Sequence, residues 1–213
     1  MSSELIINSS RDKSRIGLLK NKKLVEFHQE NDETKFNVGD IYVGKVKKIN
    51  KSLNAAFIDI GFEKDAFLHY LDLGPQFLSL KSFVKKTKGK GTSPSFNSFK
   101  KVDDINKFGK INEVLDKGED ILIQIVKEPI STKGPRVTTE ISLAGRYLIL
   151  VSFSETINVS KKITNKEERI RLINLIKSIR PKNFGVIVRT VAEKKSVSEL
   201  DKDLKSLISS WGE

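Results

Sequence analysis

The chain has 213 residues, 38% of them apolar and 31% charged, enough for one large or two small domains with a real core. Lys and Arg number 39 against 27 Asp and Glu, a net charge of +12 that points to a polyanionic partner, nucleic acid before an anionic membrane surface. The absence of cysteine excludes a disulfide scaffold, a Cys-ligated zinc site and a thiol nucleophile.

In chain order, residues 4–9, 15–19 and 23–27 read as three short strands, with Asn21 at the second turn and alternation resuming two polar residues later. From Gly39 the texture is strongly β. Ile41, Val43, Val46 and Ile49 belong to one strand, with Gly44 where a bulge or bend is expected. LNAAFIDI (53–60) is a second strand, AFLH (66–69) a third and ILIQIV (121–126) a fourth. Short strands cornered by glycine predict a small antiparallel barrel. Between them, residues 81–110 hold nine Lys and two Asp, a net of +7, more than half the excess of the whole chain. Mixed with Gly, Ser and Pro, this stretch reads as a mobile loop. Its Phe83, Phe96, Phe99 and Phe108 offer rings for base stacking beside phosphate-binding lysines, and the plainer alternative is a solvated insertion.

Beyond Lys127 the pattern becomes mixed α/β. Residues 137–142 and 147–151 read as strands about a turn at 144–146. Asn165 is placed to cap a helix that ends at Pro181, FGVIVR (184–189) is a buried strand, and Ser196 opens a helix with Glu199 in capping-box position. That last helix balances Lys202 and Lys205 with Glu199, Asp201 and Asp203, so it lacks the basic face of a membrane-surface helix. The longest apolar runs, such as residues 148–151, fall far short of the ~20 residues of a membrane span. With no signal-peptide pattern at the N-terminus, a soluble cytoplasmic protein is expected.

No catalytic site is legible. The adjacent acidic pairs, 103–104, 119–120 and 167–168, read as solvated or as favourable to a helix dipole, and His28 and His69 have no second metal ligand at short spacing. Two groupings carry more. Phe57 and Phe67 fall on neighbouring predicted strands, as a stacking platform or with one of them in the core. Arg189 and Thr190 close the buried strand, where an arginine offers a planar fork and the hydroxyl a further donor to a phosphate, although many strands end this way.

Five motifs follow one another: IINxxxxxSRIGLLKNKKLVEF, GDIYVGKVKKINKSLNAAFIDIGFEKDAFL, STKGPRVTTEISLAGRYLILV, INVSKKI and GVIVRT. In this order they resemble the N-terminal half of the ribonuclease E/G family of bacterial endoribonucleases, over nearly the whole chain. The resemblance implies an α+β, mainly β architecture in three parts. Residues 1–37 would be the first strands of an RNase H-like subdomain. Residues 38–127 would be an S1-type, five-stranded barrel of the OB fold inserted into it, with the lysine-rich insertion at about 75–117. Residues 128–213 would be an α/β 5′-sensor region, and the chain's stop after Trp211 suggests a piece of a longer protein.

Carried over by resemblance, Phe57, Phe67 and Lys133 contact RNA, and Gly145, Ile149, Lys161, Arg189 and Thr190 form the 5′-phosphate pocket. Lys161 stands where some members have arginine, which keeps the charge and loses the fork. The implied partner is single-stranded RNA, preferably 5′-monophosphorylated, in mRNA decay and rRNA maturation, with no membrane and with a homo-oligomeric parent. The family's Mg²⁺-binding carboxylates lie in a later DNase I-like domain. This chain is therefore expected to hold no cofactor, metal site or catalytic residue and to be inactive alone. The competing reading is a standalone S1-type RNA-binding or ribosome-associated module, which has no reason to carry the Arg-Thr pair after LAGRYLILV.

Overall fold

The computed structural model describes residues 2–10, 13–31, 36–89, 96, 99–130 and 132–212. Contacts divide the chain into two units, Met1–Asn37 and Val38–Glu213.

The first unit is a three-stranded antiparallel meander of β1 (Ser3–Ser9), β2 (Lys13–Lys20) and β3 (Lys23–Asn31). The β2–β3 connection is the two-residue turn Asn21-Lys22, both at positive φ (49° and 65°), the geometry that matches the twist of a hairpin.

The second unit opens with a closed barrel. β4 (Ile41–Asn50), β5 (Ala55–Asp59), β6 (Ala66–His69), β7 (Asp120–Lys127) and β8 (Arg136–Thr138) join in the order β4-β5-β6-β8-β7. The closing strand β8 lies beyond Lys127, where the sequence reading ends the barrel. It runs parallel to β6 at Phe67–Arg136 and antiparallel to β7. Its three residues are too few to show a period. Val46, Ala56, Ile58, Leu68, Ile123, Ile125 and Val137 point inward and are buried. Gly44 does not mark the bulge, which falls between Val46 and Lys48. A Cβ at residue 44 would instead stand 2.4 Å from Ile58 Cγ2, so glycine is required there by packing.

The expectation of a loop over 81–110 fails at its start. Residues Phe77–Gly89 form helix α1, with Phe77 and Leu80 buried at i, i+3 spacing and Phe83 and Val84 packed on the same side. Phe83, Phe96 and Phe99 are not stacking platforms: they pack around Phe153 and one another, edge-on at 5.4 to 5.6 Å except for the tilted pair of Phe96 and Phe153 at 4.6 Å. Phe96 further stacks on Phe184 at 4.2 Å. Asn183, in the left-handed region (φ 66°), donates both amide hydrogens to the carbonyls of Phe96 and Phe99 and so ties the insertion to the sheet beyond. The remainder of the lysine-rich reading, at 90–95, 97 and 98, lies outside the described residues. A short helix α2 (Ile111–Val114) leads back to the barrel.

After the barrel, β9 (Ser142–Ala144), β10 (Leu148–Ser152), β11 (Ile157–Val159) and β12 (Phe184–Val188) form a mixed sheet in the order β11-β12-β10-β9. The single strand expected over 137–142 is broken at Thr139 and Glu140, between the barrel and this sheet. Helices α3 (Lys166–Ile179) and α4 (Val197–Gly212) cover it. Their starts follow their sequences. Asn165 Oδ1 accepts from the Glu168 amide, and Ser196 and Glu199 form a reciprocal capping box. Leu148, Leu150, Val186, Val188, Leu172, Ile176, Leu200 and Leu204 are at most 1% exposed in the shared core, each buried side chain contributing about 1.5–3 kcal/mol.

Candidate nucleic-acid interface

Two surfaces of the second unit gather the residues singled out by sequence. On the barrel, the register sets Phe57 of β5 directly opposite Phe67 of β6. Both side chains alternate outward from buried neighbours and are half-buried. Their rings meet edge-on, centroids 5.8 Å apart. They line a cleft of 710 Å³ with Leu53, Lys64, Lys127 and Lys133. None of these three lysines makes an ion pair among the described residues.

The other wall of the cleft is the loop from β7 to β8. Ile130 and Lys133 exchange backbone hydrogen bonds at 3.1 and 2.9 Å, closing a tight turn. Behind it Gly134 approaches so closely that a Cβ would stand 2.2 Å from the Asp65 carbonyl. Arg136 also lines the cleft, but Asp72 takes its Nε and Nη2 in a bidentate pair at 2.9 and 3.0 Å. Lys47 is likewise occupied by Asp65 at 2.9 Å, a bond that raises its pKa above the ordinary value. The cations left for a ligand are therefore lysines, beside two aromatic rings. His69 lies outside this set, its Nδ1 accepting from the Leu71 amide, and His28 is exposed beside Glu26.

The second surface lies at the end of β12. Arg189 is exposed, and its Nη1 donates to the Gly145 carbonyl at 2.6 Å while its amide donates to Tyr147. This joins two segments 44 residues apart and leaves the rest of the guanidinium for a ligand. Thr190 Oγ1 lies 2.9 Å from Ser160 Oγ, and both line a shallow pocket of 450 Å³ with Ile187, Arg189 and Val191. If Ser160 donates within this pair, the Thr190 proton is free for an acceptor. Ile149 is half-buried on β10, opposite Ile187. Lys161 is exposed on the loop after β11, next to Ser160, and does not line this pocket.

Three supporting residues were not singled out by sequence. Ser160 was present in the motif INVSKKI without a role. Arg169 of α3 donates to the carbonyls of Val159, Ser160 and Ile163 and so fixes the loop that carries Ser160. Asp203 of α4 accepts from the backbone amides of Arg146, Tyr147 and Leu148 at 3.1, 2.9 and 2.9 Å, pinning the turn whose Gly145 carbonyl receives Arg189. The Asp203 contacts span more than fifty residues, which no local pattern announces; those of Arg169 span ten or fewer, but run from a helix side chain to loop carbonyls and leave no mark in spacing.

The turn after Thr190 is held as well. Glu168 accepts from the Lys194 amide at 2.7 Å and from Arg171 at 2.7 and 2.8 Å, and Arg171 donates onward to the Lys195 carbonyl. The Arg171 hydrogen bonds hold the Glu168 carboxyl down to about 2 against the opposing effect of burial. Among the described residues no three of His, Cys, Asp and Glu come together in a way that could hold a metal ion. No helix among them is long and apolar enough to cross a membrane.

The Ribonuclease E/G family model matches residues 142–213. Ribonuclease G of Haemophilus influenzae is 35% identical over 208 residues, 98% of this chain and 39% of that protein. Ribonuclease G of Escherichia coli K12 is 32% identical over 211 residues, 99% of this chain and 40% of that protein. Ribonuclease E of Synechocystis is 38% identical over 175 residues, 82% of this chain and 22% of that protein. The chain thus spans about two fifths of the length of the ribonuclease G relatives.

Proposed function

We propose that this chain, which belongs to the ribonuclease E/G family, is the RNA-binding and 5′-monophosphate-sensing portion of an endoribonuclease acting on single-stranded RNA in mRNA decay and rRNA processing. The observation that carries the reading is the Arg189 guanidinium seated on the Gly145 carbonyl at 2.6 Å, beside the Thr190 hydroxyl. One nitrogen is anchored, which fixes the plane of the fork. The remaining N–H groups and the Thr190 hydroxyl then converge on a phosphate without paying to be ordered. Phe57 and Phe67 supply sequence-tolerant stacking, and Lys64, Lys127 and Lys133 supply phosphate neutralisation further along the strand.

Mg²⁺-dependent cleavage belongs in this reading to a domain outside the chain. The described residues offer no cluster that fits the metal, and no step of hydrolysis is assigned to them.

The test compares one oligoribonucleotide with a 5′-monophosphate and with a 5′-hydroxyl. A charge-assisted hydrogen bond is worth about 1.5–3 kcal/mol, so the monophosphate should bind roughly ten-fold tighter or more. Arg189→Lys should lose most of that preference, because it keeps the charge and not the fork. Equal affinity for the two ends, or a preference that survives Arg189→Ala, would count against the reading.

A further inference from the structure

Among the described residues of the second unit, one exposed aromatic ring lies outside both surfaces. Phe108 is 88% exposed, the most exposed of the large apolar side chains described. A single exposed apolar residue needs no explanation by itself. What sets this one apart is how firmly the backbone beneath it is held. Tyr70, only 3% exposed, donates its hydroxyl to the Asn106 carbonyl at 2.5 Å. The Ile105 amide donates to Pro75 at 2.9 Å, and Asn106 Oδ1 accepts from the Phe108 amide at 2.9 Å. Gly109 admits no Cβ, which would stand 2.2 Å from the Tyr70 hydroxyl oxygen. Asn54 then spans the far side, donating to the Gly109 carbonyl at 3.1 Å and accepting from the Ile111 amide at 2.7 Å. The ring is therefore held out by a rigid loop.

Its surroundings have the charge of a nucleic-acid contact. Lys107 and Lys110 flank it, both exposed, and neither makes an ion pair among the described residues. Residues 105–111 contain no acid; the exposed Asp103 and Asp104 lie just before them, and Glu113, just after, turns back to accept from the Lys110 amide. The loop also adjoins the aromatic cleft. Leu53 lines the Phe57/Phe67 cleft and is followed directly by Asn54. Leu53 and Phe108 are thus separated by two peptide steps of about 3.8 Å and one asparagine side chain.

We propose that Phe108 is a further base-stacking residue, onto which an RNA strand lying over Phe57 and Phe67 continues past Leu53, with Lys107 and Lys110 on its phosphates. The inference deepens the RNA-binding reading and rests on it. A platform on a rigid loop loses no backbone freedom on binding, so the stacking is not offset by ordering.

The test titrates two unstructured oligoribonucleotides of about 4 and about 16 nucleotides, the two ends of the range of site sizes of barrels of this class. Both carry 5′-hydroxyl ends, which keeps the Arg189 pocket out of the measurement. Phe108→Ala should weaken the longer strand about 5- to 100-fold and leave the shorter unchanged, whereas Phe57→Ala should weaken both. Phe108→Trp should retain affinity, and the new indole emission should be quenched by the longer strand. Phe108→Ala that binds both lengths like the wild type, beside a weakened Phe57→Ala, overturns this inference alone. A change in oligomeric state on Phe108→Ala with RNA affinity intact assigns the ring to a protein contact and also overturns it. A wild-type chain that binds neither strand overturns the RNA-binding reading itself.

Discussion

Gly145 is pressed against Asp203 so closely that a Cβ at residue 145 would stand 2.7 Å from Oδ2. The same carboxylate collects three consecutive backbone amides, so α4 and the turn before β10 are locked together. Asp203→Ala leaves those amides without their acceptor and should cost about 1–3 kcal/mol in a denaturation experiment. It should also reduce discrimination between 5′-monophosphate and 5′-hydroxyl RNA, because the Gly145 carbonyl that orients Arg189 loses its anchor. Affinity for 5′-hydroxyl RNA should stay the same. A discrimination ratio unchanged in Asp203→Ala would show that the turn orients Arg189 without α4.

On the barrel, Phe57→Ala and Phe67→Ala should each weaken RNA binding by about 1–3 kcal/mol, with the slope of log affinity against log salt unaltered. Lys133→Ala should do the reverse, lowering that slope by about 0.7 for one lost phosphate contact. Both rings point away from the barrel interior, so their melting temperatures should stay close to the wild type. A collapse of the fold on either replacement would make that ring a core residue.

Glu168 supplies a pH signature. Its carboxyl, 13% exposed, titrates at about 2 instead of 4.5 because Arg171 and the Lys194 amide favour the charged form. A depressed folded-state pKa contributes stability that is present above the ordinary carboxylate value and lost as pH falls toward the folded one. The Glu199 carboxyl, held at about 2 first by the Ser196 amide, acts in the same direction. Stability measured by urea denaturation should therefore decline between about pH 4.5 and 2. Glu168→Gln should be less stable at pH 7 and show a shallower decline over that window. Equal slopes for the two proteins would remove Glu168 as the cause.

Within the barrel, Gly44→Ala should destabilise by about 1–3 kcal/mol, because its methyl must enter the space held by Ile58. Ile58→Ala should vacate that space, so the double variant should be more stable than the sum of the single effects predicts. Strict additivity would place the strain at the Asp59 carbonyl, which the same Cβ would approach to 3.2 Å.

Much of this architecture was legible locally. Short apolar runs mark β1 to β3, Asn21 their second turn, and Asn165 and Ser196 with Glu199 the starts of α3 and α4, because each signal is contained within a few residues. Helix α1 had such a signal in Phe77, Leu80, Phe83 and Val84, but the surrounding Lys, Gly and Ser made the whole segment read as a loop. β8 reads only as the start of a strand over 137–142, and its place in the barrel was hidden for a different reason: three residues complete the barrel through pairing with strands distant in sequence. For the candidate site, the pairing of Phe57 with Phe67 follows from two adjacent strands, and Arg189 and Thr190 stand out at the end of a buried strand, although only the resemblance singles them out from the many strands that end this way. The fastening of Arg189 through Gly145 to Asp203, and of Phe108 through Asn106 to Tyr70, depends on contacts between distant segments that spacing does not encode.

The loop carrying Lys133 leads directly into β8, the strand that closes the barrel. A ligand in the cleft would therefore touch the segment that closes the cylinder. A strand of RNA that binds only the closed form stabilises it by RT ln(1 + [L]/Kd), about 2.7 kcal/mol at a hundred times Kd. Saturating RNA should raise the melting temperature and slow hydrogen exchange most in β7 and β8. By the same linkage, substitutions that loosen the seam between β6 and β8 should act as weak-binding variants without touching the ligand, since part of the binding energy would then go into shutting the barrel.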